Sequence, residues 1–150
     1  MNQQLIKRYT YTAVFDGREL GPMTAFPLFR IDGRILEATV KEETDTPETA
    51  LLAGRTARIT ITVGDIFTAL ELAADFAVGD DIFAAGRRRT LDFVPETGSG
   101  TSPAKIWRFP AACLMAEAKY QPERDHDHGV TLTFTAFPDS SGRLYRLIDR

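Results

Sequence analysis

From Val130 to Phe137 the chain alternates without a break: Val130, Leu132, Phe134 and Ala136 fall on one face, and Thr131, Thr133, Thr135 and Phe137 on the other. A period of two marks a half-buried strand, because successive side chains of extended backbone point to opposite faces. The same alternation runs through residues 5–15, where Tyr9, Tyr11, Ala13 and Phe15 oppose Arg8, Thr10, Thr12 and Val14. It returns in residues 55–63, where Ile59, Ile61 and Val63 oppose Arg58, Thr60 and Thr62. A strand of this kind needs a sheet with one dry face, so these three segments commit the chain to a β-rich core.

Turn chemistry divides the rest. Asp16-Gly17 ends the first strand, Asp32-Gly33 closes a second turn, and residues 34–43, with Ile35 among charged neighbours, read as another strand. Residues 17–33 hold Gly21-Pro22 and Pro27 but also Leu20, Met23, Phe26, Leu28, Phe29 and Ile31, too apolar for a solvated linker. Two readings fit: a long loop packed on its own domain, or an arm that buries Phe26, Leu28 and Phe29 against a neighbouring subunit. Residues 44–54 place Asp45, Pro47, Glu48 and Gly54 around Ala50-Leu51-Leu52, which predicts a loop or a single helical turn. Extended structure resumes over 80–94 around Arg87-Arg88-Arg89. Residues 95–103, with Gly98-Ser99-Gly100, predict a mobile hairpin tip. Residues 105–121 are extended, Pro110 favouring an edge or a bulge there, and residues 143–148 close the meander.

One helix is expected, over about residues 65–77. Asp65 can cap its start, Gly79 follows its end, and Ile66, Leu70, Ala73 and Ala77 make a stripe that should lie across a sheet, with Phe67 and Ala74 alongside. The expected fold is mainly β: an antiparallel β-sandwich or barrel with one flanking α-helix, in a single domain over residues 1–150.

Composition narrows the function classes. A net charge of -3, with 43% hydrophobic and 26% charged residues, gives neither a disordered chain nor a basic surface for nucleic acid. Cys113 is alone, in the apolar run Ala111-Ala112-Cys113-Leu114-Met115, so it forms no internal disulfide and is expected to pack as a buried thiol. No apolar run reaches the roughly 18 to 20 residues of a membrane span, which predicts a soluble protein made in the cytoplasm with no membrane partner.

Sites of chemistry are scarce. His126 and His128 alternate within Glu123-Arg124-Asp125-His126-Asp127-His128, but zinc wants a third ligand and usually a fourth, so they are weak metal candidates in a solvated turn. Gly98-Ser99-Gly100-Thr101-Ser102 lacks the Gly-Lys-Ser/Thr ending of a phosphate loop, and no Gly-x-Ser-x-Gly elbow exists. Arg87 and Arg89 face one way in an extended segment and Arg88 the other, which suits ion pairing across strands or a subunit boundary better than a basic stripe. No enzyme, cofactor or sequence-specific nucleic-acid contact is expected.

The stretch from His128 through Gly129-Val130-Thr131-Leu132-Thr133-Phe134-Thr135-Ala136-Phe137-Pro138-Asp139, followed by Gly142-Arg143-Leu144-Tyr145, resembles the C-terminal part of tail tube and related tail structural proteins of bacteriophages and prophages. Val63-Gly64-Asp65-Ile66 and Phe109-Pro110-Ala111 are compatible with that group. The resemblance covers about the last forty residues. It implies a virion structural protein of the phage tail that self-associates into hexameric rings, stacks them as a tube for DNA passage, and meets other phage tail proteins. The chain would then be cytoplasmic during synthesis and in the virion once assembled. Candidate interface residues are Phe26, Leu28, Phe29, Arg87, Arg89 and Ser99. Two alternatives stand beside it: a head-tail connector or other phage assembly factor, and a small ligand-binding β-barrel with an apolar pocket near Trp107.

Overall fold

Eight strands share one antiparallel sheet in a computed structural model that describes residues 11–23, 27–38, 49–95, 105–120 and 129–149. In chain order these are β1 (Tyr11–Phe15), β2 (Arg18–Pro22), β3 (Leu28–Ala38), β4 (Thr49–Val63), helix α1 (Ile66–Ala73), β5 (Arg89–Pro95), β6 (Ile106–Tyr120), β7 (Val130–Phe137) and β8 (Arg146–Ile148). The spatial order is β2-β1-β5-β6-β7-β4-β3, with β8 pairing β6 beside that path. Met23, just beyond β2, bridges Val63 on β4, so the sheet curls until its first edge meets its far side. That closure gives the barrel-like body with a helix that the sequence called for, and it leaves the second half of β3 outside.

The inward positions of the strands make the core. Ala13, Phe15, Ile59, Ile61, Val63, Leu91, Phe93, Phe109, Leu132, Phe134 and Ala136 are buried, each strand contributing alternate residues. β7 lies between β4 and β6, with Phe134 opposite Ile59 on one side and Leu114 on the other. Its threonines take the outer face, where the Thr131 and Thr62 hydroxyls lie 3.0 Å apart across the strands.

Several boundaries differ from those expected. Residues 17–33 are not one long loop: β2 and the start of β3 occupy most of the described part, and Asp32-Gly33 lies mid-strand opposite Thr56 and Arg55. Residues 49–54 are strand, not loop or helical turn. The strand expected over 34–43 is the second half of β3, whose described part ends at Ala38. Before β5 the chain makes a 3-10 turn at Ala85–Arg87 rather than extended structure. β6 is a central strand, not an edge, and Pro110 sits where its partners change: β8 pairs up to Arg108, β7 begins opposite Ala111, and the β5 register slips. A proline is tolerated there because the ladder does not use its missing N–H. The expected strand over residues 5–15 is described from Tyr11 onward. Most of the expected tip at 95–103 lies outside the described residues.

The helix is shorter than expected and rotated. Asp65 caps it, its Oδ1 accepting the Thr68 N–H at 3.2 Å and its Oδ2 the Thr68 hydroxyl at 2.7 Å. Those two bonds, the hydroxyl's first, hold the Asp65 carboxyl below its ordinary range. The face toward the sheet is Ala69 with Ile66, Leu72 and Phe76, while Leu70, expected inward, is exposed.

Candidate functional site

β4 is twice the length of the body it crosses. Only residues 57–63 of it pair with β7, while residues 49–60 pair with β3 along the other edge. Among the described strands β3 has no second neighbour, and neither has β4 over residues 49–56. These parts of β3 and β4 therefore leave the body as a two-stranded arm with both backbone edges open. An isolated ribbon of this kind is marginal in water. An open edge is also a template for another strand.

The arm carries apolar side chains on both faces, among charged ones. Arg34 pairs with Gly54 but Ile35 with Leu52, so Ala53 is the extra residue of a β-bulge. Alternation from buried Ala57 would otherwise turn Leu52 outward. The bulge resets the phase, and Ile31, Ile35 and Leu52 continue the core-facing side, with Leu36 and Leu51 paired on the reverse. Ile35 is 61% exposed, Leu51 61% and Leu52 59%. Fully burying one such side chain is worth about 1.5 to 3 kcal/mol, so a partner covering the arm would gain several kcal/mol before ordering costs.

At the arm's root the orientation reverses between neighbours. Phe29 turns inward, stacked on Trp107 at 4.3 Å and edge-on to Phe93 at 5.4 Å, whereas Leu28 is 68% exposed. Of the candidate interface residues, Leu28 is thus on the surface and Phe29 is spent within its own chain. Trp107 packs against Phe29, Phe109 and Tyr145, and its buried Nε1 has no hydrogen-bond partner among the described residues. Aromatic rings pack on Trp107, where an apolar pocket was expected.

A cavity of about 480 Å³ lies elsewhere, between α1 and β1. Phe15, Leu72, Phe76 and Leu114 give it apolar walls, and Asp16, Arg18, Asp75, Arg87 and Arg89 charged ones. Arg87 and Arg89 do meet at one place, but Arg87 does so from the 3-10 turn rather than from a strand. Each arginine is already engaged: Arg18 with Glu71 at 2.9 Å, Arg87 with Asp80 at 2.9 Å and Arg89 with Asp16 at 3.5 Å. Arg87 also lies over the Phe76 ring and Arg88 over Phe137, both at 4.5 Å. The arginine run closes contacts inside one chain. Beside this cavity the outer side of α1 bears Phe67, 85% exposed, and Leu70, and Val78 follows just beyond its end.

Phe26, Ser99, His126 and His128 lie outside the described residues. Among the described residues no group of three or more His, Cys, Asp or Glu is placed to hold a metal, and no helix is long and apolar enough to cross a membrane.

No protein-family model matches the chain, and no curated protein matches it in sequence. Among solved structures the chain is similar to Hcp1 from Flavobacterium johnsoniae, at 13% identity and a TM-score of 0.44, over 94% of this chain and 99% of that one.

Proposed function

We propose that this chain is a tail-tube-like structural subunit of a phage or prophage particle, acting by association with copies of itself in rings and with other tail proteins. The observation that carries this reading is the arm: a ribbon with apolar side chains on both faces and two edges that no described strand pairs. A monomer gains nothing from holding such a surface in water, and a second copy supplies both strands and apolar surface to bury it. The resemblance of residues 128–145 to tail structural proteins supplies the ring, its hexameric count and the virion. No catalytic group or cofactor takes part.

Native mass and negative-stain electron microscopy at high protein concentration test the proposal. Rings or tubes are expected, and Leu51→Asp/Leu52→Asp should abolish them without unfolding the body. A particle that stops at one ring would favour the connector reading. A monodisperse monomer with no larger species would sink both.

A further inference from the structure

Two arginines face each other across neighbouring strands where the arm joins the body. Arg30 on β3 is the direct partner of Arg58 on β4, a pairing that sets the two Cα atoms about 4.5 to 5.5 Å apart with both side chains on one face. Arg58 is in turn opposite Thr135 on β7, so the face is the outer one, away from buried Ala57 and Ile59. Like charges set directly opposite destabilise a ladder. One carboxylate answers them: Asp32 meets Arg30 through Nε at 3.2 Å, which leaves both Nη groups of Arg30 unspent among the described residues. Arg58 joins no ion pair, hydrogen bond or ring contact among those residues.

We infer that a tetrahedral oxyanion, phosphate or sulfate, binds between these two guanidinium groups. A cavity of about 210 Å³ opens there, lined by both arginines with Asp32, Thr56, Ala57 and Thr135. A water takes about 30 Å³ of the liquid, so the space admits an anion of a few heavy atoms. Thr135 is only 7% exposed, yet its hydroxyl donates to the Met115 Sδ at 3.2 Å, a weak acceptor that an oxyanion would outbid. Each guanidinium presents N–H donors in a planar fork that matches such an anion two bonds at a time, and a dianion offsets the repulsion within the pair.

Charge on this face has one sign. Over the described β3, β4 and β7 it bears Arg30, Arg34 and Arg58 against Asp32, while Glu37 alternates to the other side. The acidic stretch with Glu42, Glu43, Asp45 and Glu48 joins the ladder at Ala38 and Thr49. Thr49 is nine strand steps of about 3.3 Å, roughly 30 Å, from Arg58. The larger cavity beside α1 offers no such site, because Arg18, Arg87 and Arg89 there are each in an ion pair.

Inorganic phosphate is the probe, titrated into the full chain against sodium chloride at constant ionic strength and followed by calorimetry and melting temperature. One saturable site per chain and a rise in melting temperature are expected. Arg58→Gln and Arg30→Gln should each bind roughly tenfold or more weakly. Without phosphate Arg58→Gln should melt no lower than the parent, since it removes a repulsion, so its lost binding is not lost fold. Arg55→Gln, on the same strand but turned the other way, should bind as the parent does. An equal loss at Arg55→Gln would reduce the effect to general charge and overturn the site, as would no phosphate dependence up to roughly 50 mM. A short DNA duplex is the second arm: duplex binding that also needs Arg58 makes nucleic-acid phosphate the source, and phosphate binding without it makes the free anion the source. If Arg58→Gln instead lowers the native mass while phosphate has no effect, the arginines hold a carboxylate of a second copy: this inference falls and self-association stands.

Discussion

Gly129 lies directly against the Val63 carbonyl at the end of the β4–β7 ladder, with its backbone at φ +81°, and a β-carbon on it would overlap that oxygen. Gly129→Ala therefore combines left-handed strain with a clash against fixed backbone, and should cost roughly 2 to 4 kcal/mol. Gly142→Ala is the control, because its φ is +78° but nothing lies within 4 Å of the added carbon, so only the strain of about 1 to 2 kcal/mol applies. Denaturant melts of the two compare the terms. Equal losses would mean that Val63 yields.

Phe29 and Leu28 are neighbours with opposite duties. Phe29→Ala removes the ring stacked on Trp107 and should cost the monomer roughly 2 to 4 kcal/mol, whereas Leu28→Ala should lie within about 0.5 kcal/mol of the parent. The single tryptophan reports both melts. A silent Phe29→Ala would place that ring outside the core.

Asp139 gathers the turn after β7. Its Oδ1 accepts the Ser141 hydroxyl at 2.6 Å and the Ser141 and Arg143 N–H groups at 2.9 and 3.0 Å, and Arg146 donates to Oδ2 at 3.0 Å. These bonds, the Ser141 hydroxyl's foremost, lower its pKa from 3.8 to about 2. A depressed carboxylate stabilises the fold above its unfolded value, and that contribution is lost as pH falls from about 4 through about 2. The melting-temperature gap between the parent and Asp139→Asn should be present at neutral pH, narrow as pH falls from about 4 toward about 2, and close below that. A gap unchanged with pH would show that the charge is not what the turn uses.

Asp92 and Arg108 face each other across β5 and β6 with two bonds of 2.9 Å, raising the pKa of Arg108. Asp92 is mostly shielded, at 14% exposure, and a double-mutant cycle should find a coupling of about 1 kcal/mol. The Lys105–Asp149 pair, 3.3 Å apart and 56% and 89% exposed, should give a coupling near zero. Equal couplings would mean that shielding is irrelevant here.

Cys113 is fully buried, and loss of solvent is the foremost reason that its thiol pKa is raised. A thiol reagent at pH about 8 should label the native protein only as fast as it opens. Immediate labelling would contradict the burial.

What could be read from the sequence follows from where one face is dry and the other wet. β7, the visible part of β1 and the body half of β4 meet that condition, so alternation identified them and named their inward residues. The Asp65 cap was equally plain, being a local bond between side chain and backbone. The arm was hidden because Ala50-Leu51-Leu52 cannot alternate when both faces are apolar and a bulge at Ala53 shifts the phase. Asp32-Gly33 misled for a related reason: a strand with no body behind it accepts turn residues in its middle. The rotation of α1 was open because Thr68 and Glu71 are its only polar residues, too few to fix which side is wet. Phe29 could be read either as packed on its own domain or as buried against a neighbour, yet Phe29, Ile31, Gly33 and Ile35 lie in phase, and that alternation was the signal available.

β4 gains its two neighbours at very different times during synthesis. β3 precedes it immediately, but Thr131, the β7 partner of Thr62, is made 69 residues after it. The local ladder can zip while the distant one must wait. Until β7 emerges, Ile59 and Ile61 are as bare as Ile35 and Leu52, and the nascent chain presents one unbroken apolar ribbon from arm to future core. That interval, rather than any moment in the life of the finished fold, is when wrong pairing between chains is most favoured, and a chain truncated before Val130 would be caught in it permanently.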